Sequence, residues 1–179
     1  MKRLTGFLAL ILILTLFSCK AIKKLGQFYI NYNTEAVFPA NIPVNIPATI
    51  YSPSIPTNSE QVFKTNSTNK DLIQSIKLDQ MSLKITSPSG QNFSFLQNIS
   101  IYISTDSLPE VLVASKQTIP ADIGDSLALD VNPVELQSYI KAPAIKMRIS
   151  GTTDKLVLQE IHVTVNTRFF VQANLLSLL

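Results

Sequence analysis

The chain is poor in the residues that build covalent cross-links and metal sites. It has one cysteine, Cys19, one histidine, His162, and only five glycines among 179 residues. A single cysteine cannot form an intramolecular disulfide, and a zinc site of several thiolates or imidazoles would lack its ligands. No glycine-rich loop of the phosphate-binding type is present either. The sequence therefore predicts no cofactor and no metal, and the hydrophobic core must stabilise the fold.

Charged residues are also scarce, at 15% of the chain. Two of the fifteen Lys and Arg residues, Lys2 and Arg3, lie in a segment that we expect to be removed, which leaves thirteen against twelve acidic residues. Beyond residue 24 no basic run alternates with aromatic residues, so we predict no nucleic-acid partner. Isoleucine, valine and threonine are abundant, which favours strands.

The first eighteen residues have the organisation of an export signal. Lys2 and Arg3 precede the apolar run FLALILILTLF, residues 7–17. That run is shorter than the about 20 apolar residues that a membrane-spanning helix needs. A positive start, a short apolar run and a small residue before a cleavage point are typical of a secretory signal peptide. We therefore predict that residues 1–18 are removed.

The sequence LFSC, residues 16–19, resembles the lipobox of bacterial lipoproteins. That motif has an aliphatic residue three positions before the cysteine and a small residue directly before it. The resemblance implies cleavage before Cys19, fatty acyl chains such as palmitate on its sulfur, and a lipid-anchored protein of the cell envelope. Each buried methylene contributes about 0.8 kcal/mol, so two or three acyl chains would hold a soluble domain at a membrane.

Lys20, Lys23 and Lys24 follow the predicted anchor. In some lipoproteins an acidic run at this place directs export to the cell surface, so a basic stretch favours the periplasmic side of the outer membrane. Each lysine contributes about 1 kcal/mol near an anionic surface, although a solvated tether explains the same residues equally well. The predicted organisation is a lipidated tether over residues 19–26 and a single domain over residues 27–179.

Alternation of apolar and polar residues predicts that this domain is built from strands. The clearest strand is ISIYIS, residues 99–104, and a second strand over 110–116 follows after a short loop, which indicates an antiparallel pair. Residues 156–176 predict one long strand or two strands joined at a bulge. The same alternation occurs at Phe28, Ile30 and Tyr32, at Met81, Leu83 and Ile85, at Leu127, Leu129 and Val131, and at Ile145, Met147 and Ile149.

Two short helices are predicted between the strands. One covers residues 70–77 after Asn69, which can cap its first turn. The other begins at Asn132, where Pro133 suits the first helical position and Glu135 suits the reciprocal capping position. The first helix is indicated by apolar residues at helical spacing, namely Leu72, Ile73 and Ile76.

Five prolines interrupt the stretch over residues 36–56. Because proline cannot donate to a strand ladder, this stretch predicts an irregular edge strand, with Ile42, Val44, Ile46 and Ile50 facing the core. The predicted fold class is mainly β: an antiparallel β-sandwich with immunoglobulin-like packing and one or two short helices. A closed barrel with an internal cavity is the alternative.

Few residues suggest catalysis or metal binding. His162 falls on the polar side of its strand, and although serines and aspartates could complete a triad with it, no GxSxG turn is present. Asp122, Asp125 and Asp130 carry oxygen ligands of the kind calcium prefers, but their spacing does not match an EF-hand loop. We predict an exposed histidine and solvated carboxylates.

Short motifs for glycan attachment occur in the predicted domain. DSL at residues 106–108 and 125–127 resembles an O-glycan acceptor motif of exported proteins in one large bacterial group. Asn66, Asn92 and Asn98 lie in triplets that match the N-glycan acceptor pattern. In a bacterial lipoprotein we expect these asparagines to be unmodified.

These observations support three functional hypotheses. The first is a non-enzymatic lipoprotein that acts as a binding or assembly subunit, with an envelope protein as a possible partner. The second is a carrier of a lipid or other apolar ligand between the sheets. The third, a hydrolase using His162, has the least support because the sequence offers no catalytic set around it.

Overall fold

The structure, a computed structural model, describes residues 26–174. Two helices and ten strands form in this part of the chain. The helices are α1 (Ser59–Thr65) and α2 (Gln137–Ile140), and single 3₁₀ turns occupy Lys70–Leu72 and Phe93–Phe95. The strands are β1 (Gln27–Phe38), β2 (Pro47–Tyr51), β3 (Ile55–Pro56), β4 (Ile73–Ser87), β5 (Leu96–Ser104), β6 (Val111–Lys116), β7 (Ser126–Ala128), β8 (Asp130–Val131), β9 (Ala144–Thr153) and β10 (Ile161–Ala173).

The strands form two sheets that pack face to face. One sheet has four strands in the order β1-β10-β4-β7, and the other has the order β2-β9-β5-β6-β8 with β3 also paired to β9. Every strand pair is antiparallel. The predicted antiparallel β-sandwich is therefore confirmed. Since β1, β4, β7 and β10 lie in one sheet and the strands between them in the other, the connectivity is that of a double-sheet jelly roll.

The core lies between the sheets and is built from the inward-facing residues of both. Successive strand residues point to opposite faces, so alternation in the sequence becomes one buried and one wet face. Ile99, Ile101 and Ile103 of β5 are at most 1% exposed, as are Leu83 of β4 and Val165 of β10. Aromatic rings close the ends of the core: Phe93 and Phe95 are stacked, Phe38 meets Phe95 edge-on, and Phe63 meets Phe28 edge-on.

The predicted helix over residues 70–77 is wrong, because β4 begins at Ile73. Asn69 does cap, accepting hydrogen bonds from the backbone N–H groups of Asp71 and Leu72, but only one 3₁₀ turn follows. Two bulges, where β4 has an extra residue at Gln74 and at Asp79 relative to β10, then shift the phase of the strand. Each extra residue increases the distance between successive inward-facing residues from two positions to three. A bulged strand therefore produces the spacing that is typical of a helix.

One helix of the structure was not predicted, and the other occupies only part of its predicted stretch. α1 forms over Ser59–Thr65 and buries Phe63 completely. α2 starts at Gln137, later than the predicted start at Asn132. Glu135 does not cap Asn132: its carboxylate accepts from the N–H of Ile76 and the hydroxyl of Ser75, both at 2.7 Å. Glu135 thus satisfies the backbone N–H of Ile76 at the edge of β4.

Two further expectations need correction. Of the four residues of the proline-rich stretch that were expected to face the core, only Ile42 is fully buried (3% exposed); Ile50 is partly buried, Val44 is 36% exposed and Ile46 is 57% exposed. Leu127 and Val131 do not continue one strand, because β7 belongs to the four-stranded sheet and β8 to the other. The predicted pair of strands β5 and β6, and a single long strand β10, are both present.

Candidate binding face

The predicted lipid attachment site, Cys19, lies outside the described residues. Within residues 26–174 no helix is long and apolar enough to cross a membrane. β1 begins at Gln27, and because a chain spans at most about 3.6 Å per residue, this start lies within about 30 Å of Cys19. An acyl chain on Cys19 would therefore keep the first residues of β1 close to the lipid.

His162 is exposed on the outer face of the four-stranded sheet. Its Nε2 lies 3.9 Å from Oε2 of Glu160, too far for a hydrogen bond, and both side chains are about half exposed or more. Ser87 is its register partner on β4, yet within residues 26–174 no hydroxyl donates to the imidazole. A general base must come within about 2.6–3.2 Å of the proton that it removes. Among the described residues, Thr86 and Ser87 line a depression with His162, but neither hydroxyl is hydrogen-bonded to its imidazole.

The loop carboxylates are paired with lysines. Asp125 lies 2.5 Å from the ammonium of Lys84, and Asp130 lies 3.2 Å from that of Lys116. The hydrogen bond from Lys84 is the main cause that lowers the pKa of Asp125. No group of three or more His, Cys, Asp or Glu residues in the described part of the chain could hold a metal ion. The structure thus does not bring Asp122, Asp125 and Asp130 together into one group.

The space between the sheets is filled. A gap of about 10 Å³ remains there, which is close to the volume of a single water-sized probe. Tyr32 lies beside this gap, and its hydroxyl donates to the carbonyl of Thr57 at 2.6 Å. Burial raises the pKa of Tyr32 to about 12, so its phenol stays protonated and the bond persists at neutral pH. The gap is lined by Tyr32, Thr34, Ile55, Met81, Ile103, Ile145, Met147, Thr167 and Phe169.

The glycan motifs lie in ordinary surface positions. The hydroxyls of Ser107 and Ser126 are on exposed residues in the two DSL motifs. Asn66 donates to the carbonyl of Val62 at the end of α1, and Asn92 accepts from the N–H of Ser94. Two of the three asparagines in N-glycan triplets therefore have local structural roles.

The outer face of the four-stranded sheet carries a row of side-chain amides. The register of β1 and β10 places Asn31 opposite Arg168 and Asn33 opposite Asn166. The register of β10 and β4 continues these rows with Gln80 and Ser82. Together they line a shallow depression of about 320 Å³, here called the amide groove, whose residues are Asn31, Asn33, Gln80, Ser82, Asn166, Thr167 and Arg168.

A bulge in β4 fixes the only charged side chain of the groove. Asp79 is the extra residue on β4 between the partners of Arg168 and Phe169, and bulges of this kind redirect a side chain. Its carboxylate Oδ2 lies 2.5 Å from Nε and Nη2 of Arg168. The guanidinium of Arg168 also lies 4.9 Å from the ring centroid of Tyr29. Arg168 is thus held in place with its charge compensated.

The amides of the groove have no partners among residues 26–174. Asn31, Asn33 and Gln80 are exposed and Asn166 is half-buried. Within residues 26–174 their side chains make no hydrogen bond to other protein groups. Each primary amide offers two donors and an acceptor. The groove is therefore a set of donors and acceptors that no described residue satisfies and that are open to water or a ligand.

Sequence reasoning did not find this groove. Asn31, Asn33, Asn166 and Arg168 occupy the outward positions of alternating strands, where polar residues are expected in any antiparallel sheet. Asn31 and Asn33 come to lie beside Arg168 and Asn166 only through the register of β1 and β10, whose paired residues here are more than 130 positions apart in the sequence. No local pattern in the sequence reveals that register.

No protein-family profile and no curated protein sequence matches the chain. Among solved structures, a chain of turnip yellow mosaic virus is 11% identical with a TM-score of 0.33, over 83% of this chain and 94% of that one. The decameric BFDV capsid protein is 10% identical with a TM-score of 0.38, over 83% and 98%. The VP2 subviral particle of infectious bursal disease virus is 13% identical with a TM-score of 0.39, over 83% and 33%. At this level the similarities give no information on function.

Proposed function

We propose that the protein is a non-enzymatic, lipid-anchored subunit of the cell envelope that binds a partner through the amide groove. The observation that carries this proposal is the set of four groove amides without protein partners. On the same surface the charged groups Arg168 and Asp79 are paired with each other. Polar groups that are fixed on rigid strands and left unpaired suit a binding surface.

The anchor follows from the lipobox-like LFSC at residues 16–19. Lipid on Cys19 would place the tether end of β1 nearest the membrane, and the groove begins a few residues further along this strand at Asn31. From Gln27 to Asn33 the strand rises about 20 Å at about 3.3 Å per residue. The groove would then be held close to the outer membrane, facing the periplasm, and open to a partner.

The other two hypotheses have less support. A carrier requires a cavity, and the gap between the sheets measures about 10 Å³. A hydrolase requires a nucleophile next to His162, whose nearest carboxylate is 3.9 Å away. His162 does share a depression with Glu35 and Ser87, but no hydrogen bond joins these side chains to its imidazole.

The anchor is tested by replacing Cys19 with serine in cells that produce the full chain. The unchanged protein should incorporate labelled fatty acid and sediment with membranes, and Cys19→Ser should do neither. Intact mass of the purified protein gives the cleavage point and the number of acyl chains. Membrane retention of Cys19→Ser without label would overturn the lipid anchor.

The binding face is tested by site-specific photocrosslinking in the same cells. A photoreactive amino acid at position 33 should give an adduct that is absent when it is placed at position 98. Asn98 is the matched control because it is also a partly exposed asparagine on an outer face, but of the other sheet. Equal adducts at both positions, or none at position 33, would contradict the proposal.

A further inference from the structure

We infer that the amide groove binds an uncharged, hydroxyl-rich oligosaccharide. This inference rests on the proposed function, since it names the ligand class of the same face. It draws on three features of the groove: the hydrogen-bonding groups, the pairing of its one charged lining residue, and an exposed aromatic ring at one end.

The hydrogen-bonding groups match those of sugars. A sugar hydroxyl donates one hydrogen bond and accepts others, and a primary amide likewise combines donors with an acceptor. Asn31, Asn33, Gln80 and Asn166 supply four such amides, and Ser82 adds a hydroxyl. They stand on neighbouring strands in fixed register, so a ligand meets them without having to order a loop.

The charge of the groove favours a neutral ligand. A phosphate or carboxylate would need an uncompensated cation, and Arg168 is already bound by Asp79 at 2.5 Å. Two lysines of β4 flank the groove. Lys84 is paired with Asp125 at 2.5 Å, whereas Lys77, opposite Phe170 at the aromatic end, is exposed and has no ion pair among the described residues. An anionic ligand would therefore find no free positive charge among the seven residues that line the groove, and would reach one only at Lys77.

An aromatic ring marks the end of the groove nearest the tether. Tyr29 is 52% exposed, lies 5.5 Å from the ring of Phe170, and packs on the guanidinium of Arg168. These contacts fix the ring while leaving part of it open to solvent. Sugar rings have apolar C–H faces that pack on aromatic rings. From Tyr29 to Asn33 the strip measures about 13 Å, four residues at about 3.3 Å each, which suits a short linear oligosaccharide.

A protein partner fits the groove less well. The centre of a protein–protein interface is apolar and rich in aromatic residues, with polar residues at the rim. The groove has a different arrangement of polar and apolar residues, because amides occupy its centre and the aromatic residues Tyr29 and Phe170 lie at one end. A protein ligand is therefore an alternative outcome of the test.

The experiment uses the full chain in detergent, labelled with ¹⁵N, and two-dimensional NMR spectra of its side-chain amides. The probes are neutral gluco-, manno-, xylo- and chito-oligosaccharides, with polygalacturonate as the anionic comparison. At least one neutral class should shift the amide signals of Asn31, Asn33, Gln80 and Asn166 and leave that of Asn98 unchanged. The double variant Asn33→Ala/Asn166→Ala should weaken binding at least tenfold, and Asn98→Ala should bind like the unchanged protein.

Three outcomes would overturn the inference: no neutral sugar shifts these signals, polygalacturonate binds more tightly, or Asn98→Ala weakens binding as much as the double variant. The crosslinking experiment at position 33 separates this failure from that of the proposed function. A protein adduct at position 33 without sugar binding means that the ligand class is wrong and the binding face is right. Absence of both means that the face does not bind.

Discussion

The outer faces of the two sheets use polar residues in different ways. On the six-stranded sheet, the Nε of Arg148 lies 2.9 Å from both carboxylate oxygens of Glu110, and its guanidinium covers the ring of Tyr102 at 4.1 Å. Lys146 and Asp106 form another pair at 2.6 Å. On the four-stranded sheet Arg168 and Lys84 are also paired with carboxylates, but the amides between them have no partner among the described residues.

This difference separates polar groups that serve the fold from those that are available for binding. Both faces are wet sides of antiparallel strands, so exposure alone does not distinguish them. Asn98 on the six-stranded sheet also has no side-chain partner within residues 26–174, so what distinguishes the four-stranded sheet is that its unpaired amides are grouped. Asn33 and Asn166 lie opposite one another in the register of β1 and β10.

The largest expected effect comes from the core behind each face. Leu83→Ala on the four-stranded sheet and Ile101→Ala on the six-stranded sheet should each lower the free energy of unfolding by about 2–5 kcal/mol. Both side chains are at most 1% exposed, so each substitution leaves a cavity in the same core. Urea denaturation measures the loss. A loss confined to one of the two variants would mean that the sheets do not share one core, and that the faces differ in more than their outward residues.

A smaller loss is expected when the arginines are removed. Arg148→Ala should lower the thermal midpoint more than Arg168→Ala, because the side chain of Arg148 is 21% exposed and that of Arg168 is 38% exposed. Arg148→Lys should recover part of the loss, since lysine keeps the charge but not the two parallel hydrogen bonds. Thermal unfolding at low and high salt measures these effects. If Arg168→Ala lowered the thermal midpoint more than Arg148→Ala, the expected difference between the two faces would be wrong.

Acid should act mainly through the paired carboxylates. The hydrogen bond from Arg148 lowers the pKa of Glu110, against partial desolvation, and the hydrogen bond from Lys146 lowers that of Asp106. Because folding lowers these two pKa values, the ionised carboxylates stabilise the folded state. This stabilisation is fully present at pH values above the unfolded pKa, which is 4.5 for Glu110 and 3.8 for Asp106. That stability is lost as the pH falls through the folded values. Stability should therefore decrease below about pH 4.5.

Glu110→Gln provides the control for this pH dependence. Its stability should vary less with pH over the acid range, as followed by urea denaturation at each pH. Sugar binding by the groove should not change between about pH 8 and about pH 5, because primary amides do not titrate and arginine stays charged. A pH-dependent affinity in that range would show that a titrating group takes part in binding.

The smallest expected effect on stability comes from the groove amides. Asn33→Ala and Asn166→Ala should each change the free energy of unfolding by no more than about 0.5 kcal/mol, since they remove no protein hydrogen bond. Asn98→Ala should behave in the same way. Equilibrium unfolding in urea gives all three values. A loss above 1 kcal/mol for the groove variants alone would assign these amides to the fold rather than to binding.

Alternation along single strands was sufficient to predict much of the fold. Ile99, Ile101 and Ile103 of β5 are all inward and buried, as the period of two requires. Where a bulge changes the period, the same reasoning fails. The spacing from Ile73 to Ile76 is three because Gln74 is an extra residue on β4, and it was interpreted as a helix.

The candidate site could not be predicted from the sequence for a different reason. The groove depends on which residues of β1, β10 and β4 lie side by side, and these strands are far apart in the chain. The extra residue Asp79, which reaches Arg168, is visible only once the strands are paired. His162 was correctly placed on the polar side of its strand, because that property is local.

The first and last described strands meet at the tether end, where the N–H of Ala173 donates to the carbonyl of Gly26 at 2.7 Å. A Cβ at residue 26 would lie 2.2 Å from the carbonyl oxygen of Ala173, so only glycine fits this junction. A pull on the tether along β1 would therefore act on all twelve residue pairs between β1 and β10 at the same time. The force would run parallel to the strands, as a shear, and would not separate the pairs one by one.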